Sequence, residues 1–206
     1  ILNWDIEDIR SFHRTYYQPQ NAIVLVAGDI DPKTVFEATK KHFGPIENCC
    51  DIPEVYATEP RQDGARHITI HKETEVEMAA VAYHIPNFAH EDQVAHSAIA
   101  ELLDGGKSSR LKRNLIDKKR LVNKVYANNF ELTDPGLFMV LAICNEGVSA
   151  KTVQAELVKQ IENVKKGKIK KAELEKVKLN IKTDIIFMLE NSSHVAEIFG
   201  SYFARG

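Results

Sequence analysis

The run Ala22-Ile23-Val24-Leu25-Val26-Ala27 constrains this chain more than any other segment. Six consecutive apolar residues closing on Gly28-Asp29 read as a strand buried on both faces, which needs strands beside it and a covering layer on each side. The flanking sequence offers little of either. A helix is predicted over Asp5 to Tyr16, with Asp5 as N-cap, Asp8 in the first turn, and Ile9, Phe12, His13 and Tyr16 at helical spacing. Gln18-Pro19 breaks it. Asp31-Pro32 starts a second helix that stops at Phe43-Gly44-Pro45. Residues 1–44 therefore provide two helices and one strand, and a lone strand leaves its own backbone groups unpaired. The expectation is that backbone from outside these residues completes the sheet this strand joins. In the isolated chain its edge is then satisfied by dimerisation, swapping or docking on the next domain.

Between residues 45 and 66 the pattern lapses into Pro45, Pro53, Pro60 and Gly64 without hydrophobic periodicity, which marks a linker. His67–Lys72 then alternates, with Ile68 and Ile70 on one face, and Met78–Ile85 follows as a second strand. A helix is predicted from His90 to Leu103, with Val94, Ala95, Ala98, Ile99 and Leu102 facing a core, ended by Asp104-Gly105-Gly106. A short helix over Arg110–Asp117 leads to strands over Leu121–Phe130 and Leu137–Cys144, separated by the turn Asp134-Pro135-Gly136. The last third is helical, with stripes at Val153, Leu157, Ile161, Val164 and at Leu174, Val177, Ile181, Ile185, Met188. Strands gather before helices, so the fold class is α+β in two layers.

Composition narrows the function classes. Of 206 residues 44% are hydrophobic and 27% charged, an ordinary globular balance, and 27 basic against 29 acidic side chains give a net charge of −2. That balance argues against a dedicated nucleic-acid binder, and no apolar run approaches the roughly 20 residues of a membrane span. Cys49, Cys50 and Cys144 make no disulfide framework, and adjacent cysteines almost never bridge each other. Nothing in this usage selects a cellular compartment.

Three stretches together resemble one family. They are Tyr16-Tyr17-Gln18-Pro19-Gln20-Asn21-Ala22 running on through Asp29 to Phe43-Gly44; Leu103-Asp104-Gly105-Gly106-Lys107-Ser108-Ser109-Arg110-Leu111; and Leu115–Ala127 followed by Asp134-Pro135-Gly136-Leu137-Phe138. In order and spacing they are similar to the pitrilysin/insulinase group of inverzincin zinc metallopeptidases, which includes mitochondrial processing peptidase. The resemblance implies an α/β roll with helices on one face of an antiparallel or mixed sheet. It also implies two halves closing around a chamber for extended peptides.

In that group zinc is held by an H-x-x-E-H helix and a later glutamate, the motif's own Glu serving as general base. None of the eight histidines here starts such a motif. His90-Glu91 is followed by Val94 and then His96, about 240° round a helix from His90, so those two rings cannot share an ion. The resemblance therefore implies a chain lying after the catalytic segment: residues 1–47 the tail of one roll domain, 48–65 a linker, 66–206 a second, non-catalytic roll domain. No metal is expected in this chain and zinc is expected in the full-length protein. The implied partners are a peptide substrate, the N-terminal catalytic segment, a second half or subunit, and a second copy of the chain. The family's substrate-gripping Arg and Tyr align with Ile116 and Asn123, so the chain is either the second domain of the zinc-bearing half or a degenerate copy of the other half. A scaffold protein of the same fold without proteolysis is the alternative.

Three features invite sharper readings. Gly106-Lys107-Ser108 imitates a P-loop end, but Glu101 stands where its first glycine belongs and the turn follows a helix, so a helix cap is expected. Under the resemblance, Gly105, Gly106, Lys107, Ser108 and Ser109 line the chamber and bind substrate. His67 and His71, four residues apart on a strand, lie about 13 Å apart and read as surface histidines. Residues 165–182 hold eight lysines and two glutamates, which read as a solvated helix face with no aromatic residues interleaved for base stacking. Limited proteolysis should cut first within residues 45–66; early cuts in Leu121–Phe130 or Leu174–Met188 would move the boundary.

Overall fold

Each strand of the sheet buries one side and leaves the other open, as the period-two alternation of its residues demands. In the computed structural model, which describes residues 3–55 and 59–205, β1 (Met78–Ile85), β2 (Val122–Phe130) and β3 (Gly136–Cys144) form one antiparallel sheet in the order β1-β3-β2. The register pairs Ala79 with Ala142, Val81 with Val140 and Tyr83 with Phe138 across β1 and β3. On the other edge Val125 faces Ala142 and Ala127 faces Val140, after a bulge between Val122 and Lys124. These residues look toward α3 (Gln93–Asp104) and α4 (Ala150–Lys165), and Leu103, Leu111, Leu115, Val140, Val153 and Leu157 are fully buried among them. The α+β class and the layer of helices on one sheet face follow from this packing.

The chain divides into two compact units, Thr69–Ile186 and a second comprising Ile1–Ile68 with Phe187–Gly206. The first unit carries the sheet. Its α4 begins at Ser149, whose hydroxyl accepts from Thr152 N at 3.3 Å, while Glu77 accepts from Ala150 N at 2.7 Å. Leu111 leads into a π-helical turn, Lys112–Lys118, ended by Arg120 at φ 51°. α5 (Lys171–Leu189) follows α4. The second unit contains α1 (Ile6–Tyr16), α2 (Pro32–Phe43) and α6 (Ser192–Arg205). Asp5 caps α1 by accepting from Glu7 N and Asp8 N, and Asp8 returns a bond to Asp5 N at 3.1 Å, a reciprocal box. Asp31 does the same work for α2 at Lys33 N and Thr34 N.

Several expectations are corrected. Ala22–Ala27 forms no strand: it enters no ladder, and Ile23 remains 55% exposed. His67–Lys72 is likewise unpaired, with Ile68 84% exposed. Both segments have strand-like sequence, but no described backbone lies alongside to accept their hydrogen bonds, and pairing requires that partner. α3 starts three residues late and rotated. Val94 is 79% exposed and Ala95 exposed, whereas Gln93 is buried, donating to Pro86 O at 2.6 Å and accepting from Asn129 Nδ2 at 3.1 Å. That side-chain network, absent from any hydrophobic count, sets the start of the helix. Along α5 only Val177 is buried and Ile181 packs on the core; Leu174, Ile185 and Met188 stay exposed.

The α4 stripe carries more of the stability than α5 does. Leu157→Ala should cost about 3 kcal/mol in urea unfolding, from lost transfer energy and a residual cavity. Leu179→Ala, at an exposed site, should stay within about 0.5 kcal/mol of the parent.

Candidate functional site

The turn that follows α3 is built by two glycines that play different parts. Gly105 donates its N–H to Glu101 O at 2.7 Å, and a Cβ there would fall 1.9 Å from the Glu101 carboxylate. Gly106 takes φ +67°, the left-handed region that glycine enters without strain. The chain then re-enters helix at Arg110-Leu111, with Leu111 anchored in the core. Gly106, Lys107 and Ser108 are left exposed at the tip, while Ser109 and Arg110 are buried beneath it.

Arg110 organises the floor of this turn. Its Nε and Nη2 donate to Glu173 Oε1 at 3.0 Å and Oε2 at 2.7 Å, a two-pronged contact with α5. Nη2 also donates to Lys168 O at 2.6 Å. Glu173 Oε2 in turn accepts from Lys170 N at 3.0 Å, so this carboxylate caps the start of α5 while it holds the guanidinium. The Arg110 hydrogen bonds lower the Glu173 carboxyl pKa from 4.5 to about 2, with help from the Lys170 amide and against a smaller cost of burial. Nearby, Lys176 Nζ donates to Ser108 Oγ at 2.6 Å and Asn180 Nδ2 donates to Glu101 Oε1 at 2.7 Å. Lys112 Nζ closes the other side on Asp104, at 2.9 Å from both its carbonyl and Oδ1.

Between the turn and α5 lies a cleft of about 30 Å³ lined by Gly105, Ser108, Ser109, Arg110, Glu173 and Lys176 among others. That is room for about one or two waters and not for an organic ligand, so the cleft is a joint beneath an exposed tip. A wider, open cleft of about 250 Å³ adjoins it on the far side of Arg110, edged by Arg113, Asn114, Gln160, Asn163, Lys168 and Lys170.

Of the five residues singled out from the sequence, Gly105, Ser108 and Ser109 line the small cleft, and Gly106 and Lys107 stand outside it on the exposed tip. The Arg110–Glu173 pair escaped sequence reasoning. Arg110 sits in a stretch quoted for its resemblance, and Glu173 was one of two carboxylates in a lysine-rich run. A contact across 63 residues has no periodic signature. His67 and His71 are exposed. Among the described residues no group of three or more His, Cys, Asp or Glu side chains converges as a metal site, so this chain's own residues do not fit a zinc ion. Among the same residues no helix is long and apolar enough to cross a membrane.

The comparisons with known proteins agree with one another. A family model described as the peptidase M16 inactive domain matches residues 3–181. A zinc protease PqqE from Helicobacter pylori is 46% identical over 208 residues, covering 100% of this chain and 47% of that protein. The crystal structure of a protease from Helicobacter pylori superposes with a TM-score of 0.96 at 46% identity, covering 99% of this chain and 50% of that one. A peptidase M16 inactive domain from Pseudomonas fluorescens shares the fold, with a TM-score of 0.82 at 17% identity over 97% of this chain and 47% of that one. The chain thus spans about half the length of the curated relatives it matches.

The Glu173 pKa has a testable consequence. A carboxyl titrating lower in the folded than in the unfolded chain stabilises the fold fully above about 4.5, and that stability is lost as pH falls through about 2. Between pH 5 and pH 2 the parent should lose on the order of 2 kcal/mol more unfolding free energy than Glu173→Gln, allowing for solvent screening. Urea titrations across that range measure the difference.

Proposed function

Because the chain belongs to the peptidase M16 inactive-domain family, we propose that it forms part of the wall of a peptide-binding chamber in a zinc-dependent metalloendopeptidase. The observation that carries this reading is the open face of the sheet. There the register lays out the rows Met78-Ile143-Lys124, Ala80-Leu141-Tyr126, Ala82-Met139-Asn128 and His84-Leu137-Phe130. Antiparallel sheets ordinarily set polar residues against solvent, yet here Met78 is 56% exposed and Tyr126, Phe130 and Leu137 are exposed with it. Apolar surface of this kind marks a place where another chain lies. An extended peptide suits it, since alternate side chains can meet the apolar rows.

In this reading the Gly105–Ser109 turn contributes the tip that meets substrate, with Gly106, Lys107 and Ser108 presented to it and Arg110–Glu173 holding it from below. Residues 1–47 belong to a roll domain completed elsewhere in the protein, 48–65 link it, and 66–206 form the non-catalytic roll. The exposed apolar stripe of α1 supports that division: Ile6, Ile9 and Phe12 recur along one face and none is buried. Ala22–Ala27 would then find its ladder on the catalytic segment, which also carries the zinc and the hydrolytic groups. Relatives named zinc proteases support zinc there.

Kinetics of the full-length protein test both parts. Lys107→Ala and Ser108→Ala should each raise KM for extended peptides by about 3- to 10-fold with kcat unchanged, the loss of one polar contact made equally in ground and transition states. A photoreactive extended peptide should label residues of the open face, Leu141 and Tyr126 among them. Labelling confined to the α3–α4 layer would reject the chamber.

A further inference from the structure

The second unit holds a side-chain arrangement of its own around two adjacent cysteines. Cys49 and Cys50 are adjacent, both exposed, and their sulfurs stand 2.9 Å apart. A buried glutamine holds the dipeptide from behind. Gln18 Oε1 accepts from Cys49 N at 2.8 Å, and Gln18 Nε2 donates to Cys50 O at 2.9 Å and to Thr15 O at 2.6 Å. Gln20 Nε2 adds a second bond to Cys50 O at 2.7 Å, and Cys49 Sγ donates to Arg14 O at 3.3 Å. The backbone of the pair is thus tied at its donors and its acceptor, and Gln18 Nε2 also donates to Cys50 Sγ at 3.7 Å.

We propose that this dithiol is a chelating site for trivalent, three-coordinate thiophilic centres, of which the monosubstituted arsenicals are the chemical class that fits best. Such a centre takes two sulfurs on neighbouring vertices of a pyramid, which adjacent cysteines supply, and keeps its third bond to its own substituent. Other thiophilic ions fit less well. Structural zinc asks for four ligands, and among the described residues no third His, Cys, Asp or Glu joins the pair. A linear two-coordinate ion needs its sulfurs on opposite sides, which neighbouring residues on a tied turn do not provide. The reaction balances without oxidant. An arylarsonous acid, ArAs(OH)2, forms two As–S bonds and loses two As–O bonds, and each thiol proton leaves with a hydroxyl as water. Gln18 lowers the cost of ordering, because the two thiols are already side by side.

Phenylarsine oxide titrated into the whole chain, followed by intact-mass spectrometry and peptide mapping, tests this. The expected result is one phenylarsenic group per chain, mapped to Cys49 and Cys50, with both protected from alkylation. It should be released by a small dithiol and not by a monothiol at the same concentration. Cys49→Ser and Cys50→Ser are exposed, conservative changes, and each should weaken retention by about 100-fold or more as the second bond ceases to be intramolecular. An adduct on the buried Cys144, full retention in either single variant, or no adduct on the folded chain would overturn the proposal.

Discussion

Among the described residues β3 is the only strand hydrogen-bonded on both edges, and everything else in Thr69–Ile186 is arranged around that fact. A central strand must present a side chain to each face at every second residue, and Leu137–Cys144 is apolar throughout. Its inward set, Phe138, Val140, Ala142 and Cys144, is buried under the helices. Of its outward set Leu137 is exposed, and Met139, Leu141 and Ile143 are only half-buried. An apolar central strand packed on one side alone leaves a surface whose burial must come from another chain or ligand. The functional reading begins there.

The second dependency is electrostatic. The Arg110–Glu173 contact joins the start of α5 to the turn after α3, and each partner satisfies further groups: the Lys168 carbonyl for Arg110, the Lys170 amide for Glu173. A largely buried ion pair is a modest source of stability but a strong source of position, because removing either partner strands the other in a poorly solvated place. It is the reason a glycine-rich tip, free to vary in isolation, is carried on a fixed base. The same logic operates on a smaller scale at Gln18, where one buried amide aligns two adjacent cysteines. In both places a polar side chain under the surface determines what the surface presents.

Much of this was legible in the residues themselves. Asp5 and Asp31 announced the starts of α1 and α2, because capping is a local contest between a short carboxylate and the free amides of the first turn. β2 and β3 were legible because they lie next to each other along the chain across the turn Asp134-Pro135-Gly136, and β1 because its apolar run is of strand length, although its partner β3 lies beyond α3 and β2. The stripe Val153, Leu157, Ile161, Val164 was legible because a period of 3.6 admits one buried face. The order of three short stretches also carried the family.

What the residues could not decide were the outcomes that depend on a partner distant in sequence or lying outside it. Ala22–Ala27 and His67–Lys72 are as strand-like in composition as Met78–Ile85, yet only the last is paired, since a ladder is a property of two backbones and not of one. Gln93 displaced Val94 from the core because Asn129, on β2, supplied the bond that makes burying an amide tolerable. Glu173 became the anchor of the turn and not one more solvated charge because Arg110 came to rest against it. Local physics, acting over three or four residues, determined the helix starts, the strand periodicity and the core stripe. Tertiary structure decided which strands found edges, which polar groups were buried, and where the exposed tip was set, because each of those free energies belongs to a pair that only folding brings together.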